Sequence, residues 1–169
     1  MDNFVNLQER MKKLKLLIYD FDGVMTDNRV MVDQDGRESV VVNRGDGYGV
    51  SRIKKLGIEQ VIVSTETNPV VRRRAEKLNI GVIHGVEDKE TIVKEYITKK
   101  GYAVENVMFI GNDLNDYEAM MSVGLKGAPA DAEEEILNIA DWVSEAKGGY
   151  GVIRELFRLL QSYMEQEVE

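Results

Sequence analysis

The chain has 169 residues, 43% of them hydrophobic and 31% charged, with a net charge of -8, one histidine and no cysteine. These proportions describe one globular domain over residues 1–169 with a core of its own, and the negative balance opposes a nucleic-acid surface, the sole dense basic cluster being Arg72, Arg73 and Arg74. Without thiols there are no disulfides, thiolate-held metals or cysteine nucleophiles, so a metal must use oxygen ligands or His84, and oxygen ligands favour magnesium.

No stretch approaches the ~20 apolar residues of a membrane span, and MDNFVNLQERMKKLKLL lacks the apolar core of a signal peptide, so the expectation is a cytoplasmic protein with no membrane partner. Residues 1–13 read as a short helix or an arm. LKLLIYD (14–20) reads as the first strand. RVMVDQDGRESVVVN (29–43) follows, two β-branched runs around an Asp-Gln-Asp-Gly turn, which predicts a hairpin. The turn is no calcium loop, because Met31 and Val42 hold the ligand positions such a loop needs. Asp46 then stands in a Gly-rich turn opening the helix DGYGVSRIKKLG, as a cap or a pocket residue. QVIVS (60–64), IGVIH (80–84), NVMFIG (106–111) and the weaker VGLKGA (123–128) complete the strands. Asn68 opens the helix NPVVRRRAEKL, Asp88 opens DKETIVKEYITKK, and Gly57 and Gly101 are stops. GGYGVIRELFRLLQSYMEQEVE reads as a Gly-rich tail from about 147 that runs into a helix. Short apolar strands alternating with helices imply an α/β, doubly wound parallel sheet.

Ligands of such sheets bind beyond the carboxyl ends of the strands. Those ends carry Asp20-Phe21-Asp22, then Ser64-Thr65-Glu66, then Asp88-Lys89, then Gly111-Asn112-Asp113-Leu114-Asn115-Asp116. Asp20 and Asp22 lie on one strand face roughly 6.6 Å apart along the chain, near enough to serve one reacting centre. A divalent cation would relieve their repulsion, and magnesium takes one or two carboxylates together with phosphate oxygens and water. Ser64 can donate to a phosphoryl oxygen and Lys89 can neutralise the group in transit. One aspartate can then act as nucleophile and the other as acid, then base.

These residues resemble the four motifs of the haloacid dehalogenase (HAD) phosphatases: Asp20-Phe21-Asp22-Gly23-Val24, Ser64, Lys89 and the acidic loop GNDLND. The resemblance implies an aspartyl-phosphate on Asp20, proton transfer by Asp22, and Mg²⁺ held by Asp20, the Asp22 backbone carbonyl and Asn112, with Asp113 and Asp116 either supporting those ligands from behind or serving as alternative ligands. Asn112 stands where the family has an aspartate, which removes one negative charge from the metal set.

DFDGVMTDN, VNRGDGYGV, STETNPVVRRRAEKL, VGLKGAPADA and KGGYGVIRE are similar to small phosphatases of 3-deoxy-2-keto sugar acids and to the phosphatase-like domain attached to some acylneuraminate cytidylyltransferases. The octulosonate 8-phosphate enzymes usually carry Thr-Gly-Arg and Gly-Asp-Asp where this chain has Ser64-Thr65-Glu66 and Gly111-Asn112-Asp113. The expectation therefore leans to a nine-carbon ester, N-acylneuraminate or 2-keto-3-deoxy-nonulosonate 9-phosphate, with the octulosonate ester as alternative. A weakly active or non-catalytic partner of a cytidylyltransferase is the third reading. There is no room for a cap domain. By the same resemblance the protein is a homotetramer in which a neighbour's hairpin and Gly-rich tail complete the pocket, and Thr65, Glu66, Arg74, Lys77 and Asp46 are candidate substrate contacts.

Overall fold

The short apolar runs become the centre of a parallel sheet because both of their faces are covered. In the computed structural model, which describes residues 2–165, β1 (Leu16–Tyr19), β4 (Glu59–Ser64), β5 (Gly81–His84), β6 (Val107–Ile110), β7 (Leu125–Ala128) and β8 (Trp142–Val143) pair in parallel in the order β5-β4-β1-β6-β7-β8. Alternate side chains of β1 serve opposite cores. Leu17 and Tyr19 pack with one layer, formed by α1 (Asp2–Lys12), α2 (Arg44–Lys55), α3 (Val70–Leu78) and α7 (Val152–Glu165). Leu16 and Ile18 pack with the other, formed by α4 (Lys89–Lys100), α5 (Tyr117–Met121) and α6 (Glu134–Ile139). The order reverses at β1, between β4 and β6, so the crevice of the switch point opens beside Asp20. Among the described residues no helix is long and apolar enough to cross a membrane.

The hairpin forms at the expected place, but its ladder is short. β2 (Met31–Val32) and β3 (Glu38–Ser39) pair antiparallel around Asp33, whose carboxylate accepts from the amides of Asp35 and Arg37. One face of it is exposed, with Met31 and Val41 each 73% exposed, while Val40 and Val42 pack against the core. Asp88 and Gly101 cap α4 as the sequence predicts, the Asp88 carboxylate taking the Thr91 amide and Gly101 adopting φ 72°. Asn68 takes the Val70 amide at the start of α3.

Two expectations need correction here. The helix after the hairpin begins at Arg44 with Asn43 as its cap, so Asp46 and three glycines lie inside α2 rather than in a turn before it. Gly49 shows why: a Cβ there would lie 2.7 Å from the Ile153 carbonyl oxygen, so the bare backbone lets α2 and α7 touch. Asp46 is buried in that contact, its Oδ1 accepting from the amides of Ile153 and Arg154. It caps a helix 108 residues away rather than facing a pocket. The start of the glycine tail packs closely within its own chain. A Cβ on Gly148 would stand 2.0 Å from the Gly23 carbonyl oxygen, and one on Gly149, at φ 76°, would stand 2.5 Å from the Asp27 amide.

Candidate active site

Asp20 follows the last residue of β1, and its amide completes the ladder to the Ile110 carbonyl. The carboxylate is folded inward, Oδ1 accepting from the Phe21 amide at 2.7 Å and lying 2.9 Å from Lys89 Nζ. Lys89, the first residue of α4, is 1% exposed in its side chain and also reaches Asp116 Oδ1 at 2.7 Å. A buried ammonium thus bridges two carboxylates from β1 and from the loop after β6. Asp116 uses its other oxygen for the amides of Asn112 and Asp113, at 2.9 and 3.3 Å. Asp113 accepts from the Leu114 amide and completes a reciprocal cap with Asp116. Both oxygens of Asp116 are therefore engaged in holding Lys89 and shaping the loop. The sequence offered Asp116 as a residue supporting the metal ligands or as an alternative ligand itself, and the Asp113-x-x-Asp116 spacing is also a legible capping box.

The electrostatics follow from the burial. Loss of water, with Asp116 alongside, pushes the Asp20 carboxyl up to about 8 against the pull of Lys89. Burial pulls the Lys89 ammonium down, but Asp20 and Asp116 outweigh it and hold it above its usual range. Asp22 is half-buried and raised, first by desolvation and then by the Glu66 carboxylate, with the Thr26 hydroxyl opposing. One buried cation among these acids leaves the rim with an excess of negative charge, a setting that favours a further cation.

Asn112 is the residue that fits one. It is buried, its Oδ1 has no hydrogen-bond partner, and its amide group packs so closely on Gly23 that a Cβ there would meet it at 2.1 Å. An amide oxygen held without a partner beside Asp20 and the Asp22 loop is a hard-cation donor. Among the described residues no three carboxylate or imidazole side chains converge for a metal.

The other candidates divide. Ser64 is buried at the end of β4, where its hydroxyl accepts from the Glu66 amide. Glu66 lines a cavity of about 270 Å³ beside Asp22, with Asn28, Arg29, Glu38 and Asn68. Thr65 is exposed and does not line that cavity. Arg74 and Lys77 do not join them. They line a separate cleft of about 510 Å³ between α2 and α3 together with Arg44 and Lys54, and Arg74 donates to the Asn43 carbonyl. Asn28, just before the hairpin, and the hairpin residues Arg29 and Glu38 carry no sequence signal for this cavity, because only the folding of the hairpin brings them beside Asp22.

The family model for haloacid dehalogenase-like hydrolases matches residues 51–156. The 3-deoxy-D-manno-octulosonate 8-phosphate phosphatase of Salmonella typhimurium is 33% identical over 158 residues, covering 92% of this chain and 83% of that one. The structure of the enzyme of the same name from Yersinia pestis superposes with a TM-score of 0.90 at 32% identity, over 98% of this chain and 88% of that one. The Moraxella catarrhalis enzyme, solved with a magnesium ion, a phosphate ion and KDO, superposes with a TM-score of 0.89 at 28% identity, over 94% and 91%. With the Asp20, Lys89 and Asp116 cluster at the switch point of the matching fold, the chain belongs to the haloacid dehalogenase-like hydrolases.

Proposed function

We propose that the protein is a magnesium-dependent phosphomonoesterase acting on a phosphorylated 2-keto-3-deoxy sugar acid. The observation that carries this reading is the buried Lys89 between Asp20 and Asp116 with the partnerless Asn112 oxygen next to them. Asp20, Asn112 and the Asp22 carbonyl would hold Mg²⁺, which supplies charge neutralisation for the phosphoryl group. The chain's own groups do the rest. Asp20 attacks phosphorus and the ester P–O bond breaks, the leaving oxygen taking its proton from Asp22. Water then gives a proton to Asp22 and attacks phosphorus, which frees phosphate and restores Asp20. Lys89 holds the Asp20 carboxylate in place and offsets charge on the phosphoryl oxygens, to which Ser64 donates.

Octulosonate 8-phosphate is the first substrate to test, since the curated relatives carry that activity in their names. The nine-carbon esters are the second reading, favoured by Glu66, an acceptor for substrate hydroxyls in the cavity beside Asp22. Phosphate release from both esters with Mg²⁺, and with Asp20→Asn as blank, tests the two together. Turnover of either that disappears in the blank supports the phosphatase, and the faster ester identifies the acid. Turnover retained by Asp20→Asn, or none by the folded wild type, overturns it.

A further inference from the structure

The proton-transfer carboxylate of the proposed reaction sits on a loop, and a loop must be held if it is to place an oxygen within a few tenths of an ångström. The chain from Phe21 to Asn28 is tied at several points. The amides of Val24, Met25 and Thr26 all point to the Phe21 carbonyl, at 3.3, 2.9 and 3.2 Å. Asn28 takes φ 64° to leave the turn, and Thr26 bridges to Val42 at the foot of the hairpin. At the centre is the Thr26 side chain, 0% exposed. Its hydroxyl accepts from the amides of Gly23 and Asn28, both at 3.2 Å, which fills its two lone pairs. Its one proton then goes to Asp22 Oδ1 at 3.4 Å, a long contact of the kind that shortens when a site is occupied.

The wall behind Thr26 comes from the other end of the chain. Gly148 and Gly149 lie against the backbone of Gly23, Thr26 and Asp27, and the Gly149 amide donates to the Val24 carbonyl at 3.0 Å. Gly148 is in turn held by Asp131, which accepts its amide at 2.9 Å. Glu155 anchors the segment just before it, accepting from Ser144 Oγ and from the amides of Glu145 and Ala146. Val24, two residues after Asp22, is buried and has no hydroxyl to offer.

We propose that Thr26 is a positioning residue for proton transfer: its hydroxyl, saturated by two loop amides and backed by Gly148 and Gly149, aims the Asp22 carboxylate at the leaving oxygen. The inference rests on the phosphatase reading above. Thr26→Val keeps the shape and removes the hydroxyl, and Thr26→Ser keeps the hydroxyl. Each is compared with wild type, after circular dichroism and thermal melting, on p-nitrophenyl phosphate and on whichever of the two sugar acid esters the wild type hydrolyses. A sugar alkoxide needs a proton to leave, whereas nitrophenolate does not.

Thr26→Val should lose about tenfold or more in kcat on the sugar ester with KM within about twofold, while the initial burst of nitrophenolate stays within about threefold of wild type. Thr26→Ser should recover kcat to within about threefold. If Thr26→Val does not fold, Thr26→Ala against Thr26→Ser gives the same comparison. Full activity in Thr26→Val, an equal loss on both esters, or a Ser variant as slow as the Val variant would each overturn the inference. A wild type that hydrolyses no ester instead removes the reading beneath it, and the two failures are therefore distinct.

Discussion

At the scale of single residues the site is a balance among buried charges, and Lys89 is its pivot. Replacing it by Met leaves Asp20 and Asp116 facing each other without a cation, and removing one partner from a buried ion pair costs about 3–5 kcal/mol. The sign of the pH dependence follows. Without the ammonium the folded pKa of Asp20 rises further, so the variant is most stable below the ordinary carboxylate range and loses stability as pH climbs toward and through the raised value. Thermal melting of Lys89→Met against wild type should show a gap that widens above about pH 8, where Asp20 of the wild type ionises and that of the variant does not; a gap that stays constant there would mean that packing, not charge, carries the effect. Asn112→Asp makes a second test. It adds a carboxylate where an unpartnered amide oxygen now sits, so Mg²⁺ should raise the melting temperature at lower concentrations than for wild type. An unchanged titration would take Asn112 out of the metal set. The first motif, the strand-end serine, the lysine and the acidic loop were all legible in the sequence because each stands at a strand or helix boundary. The division of labour inside GNDLND was not, since it depends on which oxygen of Asp116 faces Lys89 and which the loop amides.

At the scale of elements the contact between α2 and α7 is the joint on which the site rests. Asp46 reaches across it to the first amides of α7, and burial pushes its carboxyl up to about 6. Because this folded value lies above the ordinary one, the contribution of Asp46 is fully present below about pH 4 and is lost as pH rises through about 6, for on the order of 3 kcal/mol in all. Asp46→Asn retains the acceptor and removes the titration, so the stability of wild type relative to this variant should fall between pH 4 and 7. A pH-independent difference would show that Asp46 stays charged throughout. The sequence placed a helix after the hairpin but read its glycines as a turn. Glycines within three residues of an aspartate resemble a turn locally, and only the partner helix reveals them as a close crossing. β8 and α6 escaped for a different reason: with two and six residues, they are shorter than the periods that betray them.

At the scale of the whole molecule, β1, α4, the loop after β6 and the segment before α7 converge on one rim. Truncation before Gly148 therefore does more than open a pocket. It removes Val152, Ile153, Leu156, Phe157 and Leu160, all buried in one core, and at roughly 1.5–3 kcal/mol apiece their loss is comparable to the entire stability of a domain. A chain ending at residue 147 should show no cooperative thermal transition by circular dichroism. A clean transition would mean that the remaining layers suffice alone. The architecture itself was readable from alternation and strand-end chemistry. The closure of the last helix onto the first loop was not, because it is written in single glycines and carboxylates more than a hundred residues apart.

That closure also sets a moment in the life of the molecule. A ribosome delivers Asp20, Asp22, Ser64, Lys89 and Asp116 well before it delivers Gly148, Gly149 and the buried face of α7. Until those residues emerge, Asp46 has no amides to cap and the Asp22 loop has no wall behind it. The nascent chain should hold its reactive carboxylates in an unset loop, inert toward phosphate esters, and become competent only as its final helix docks.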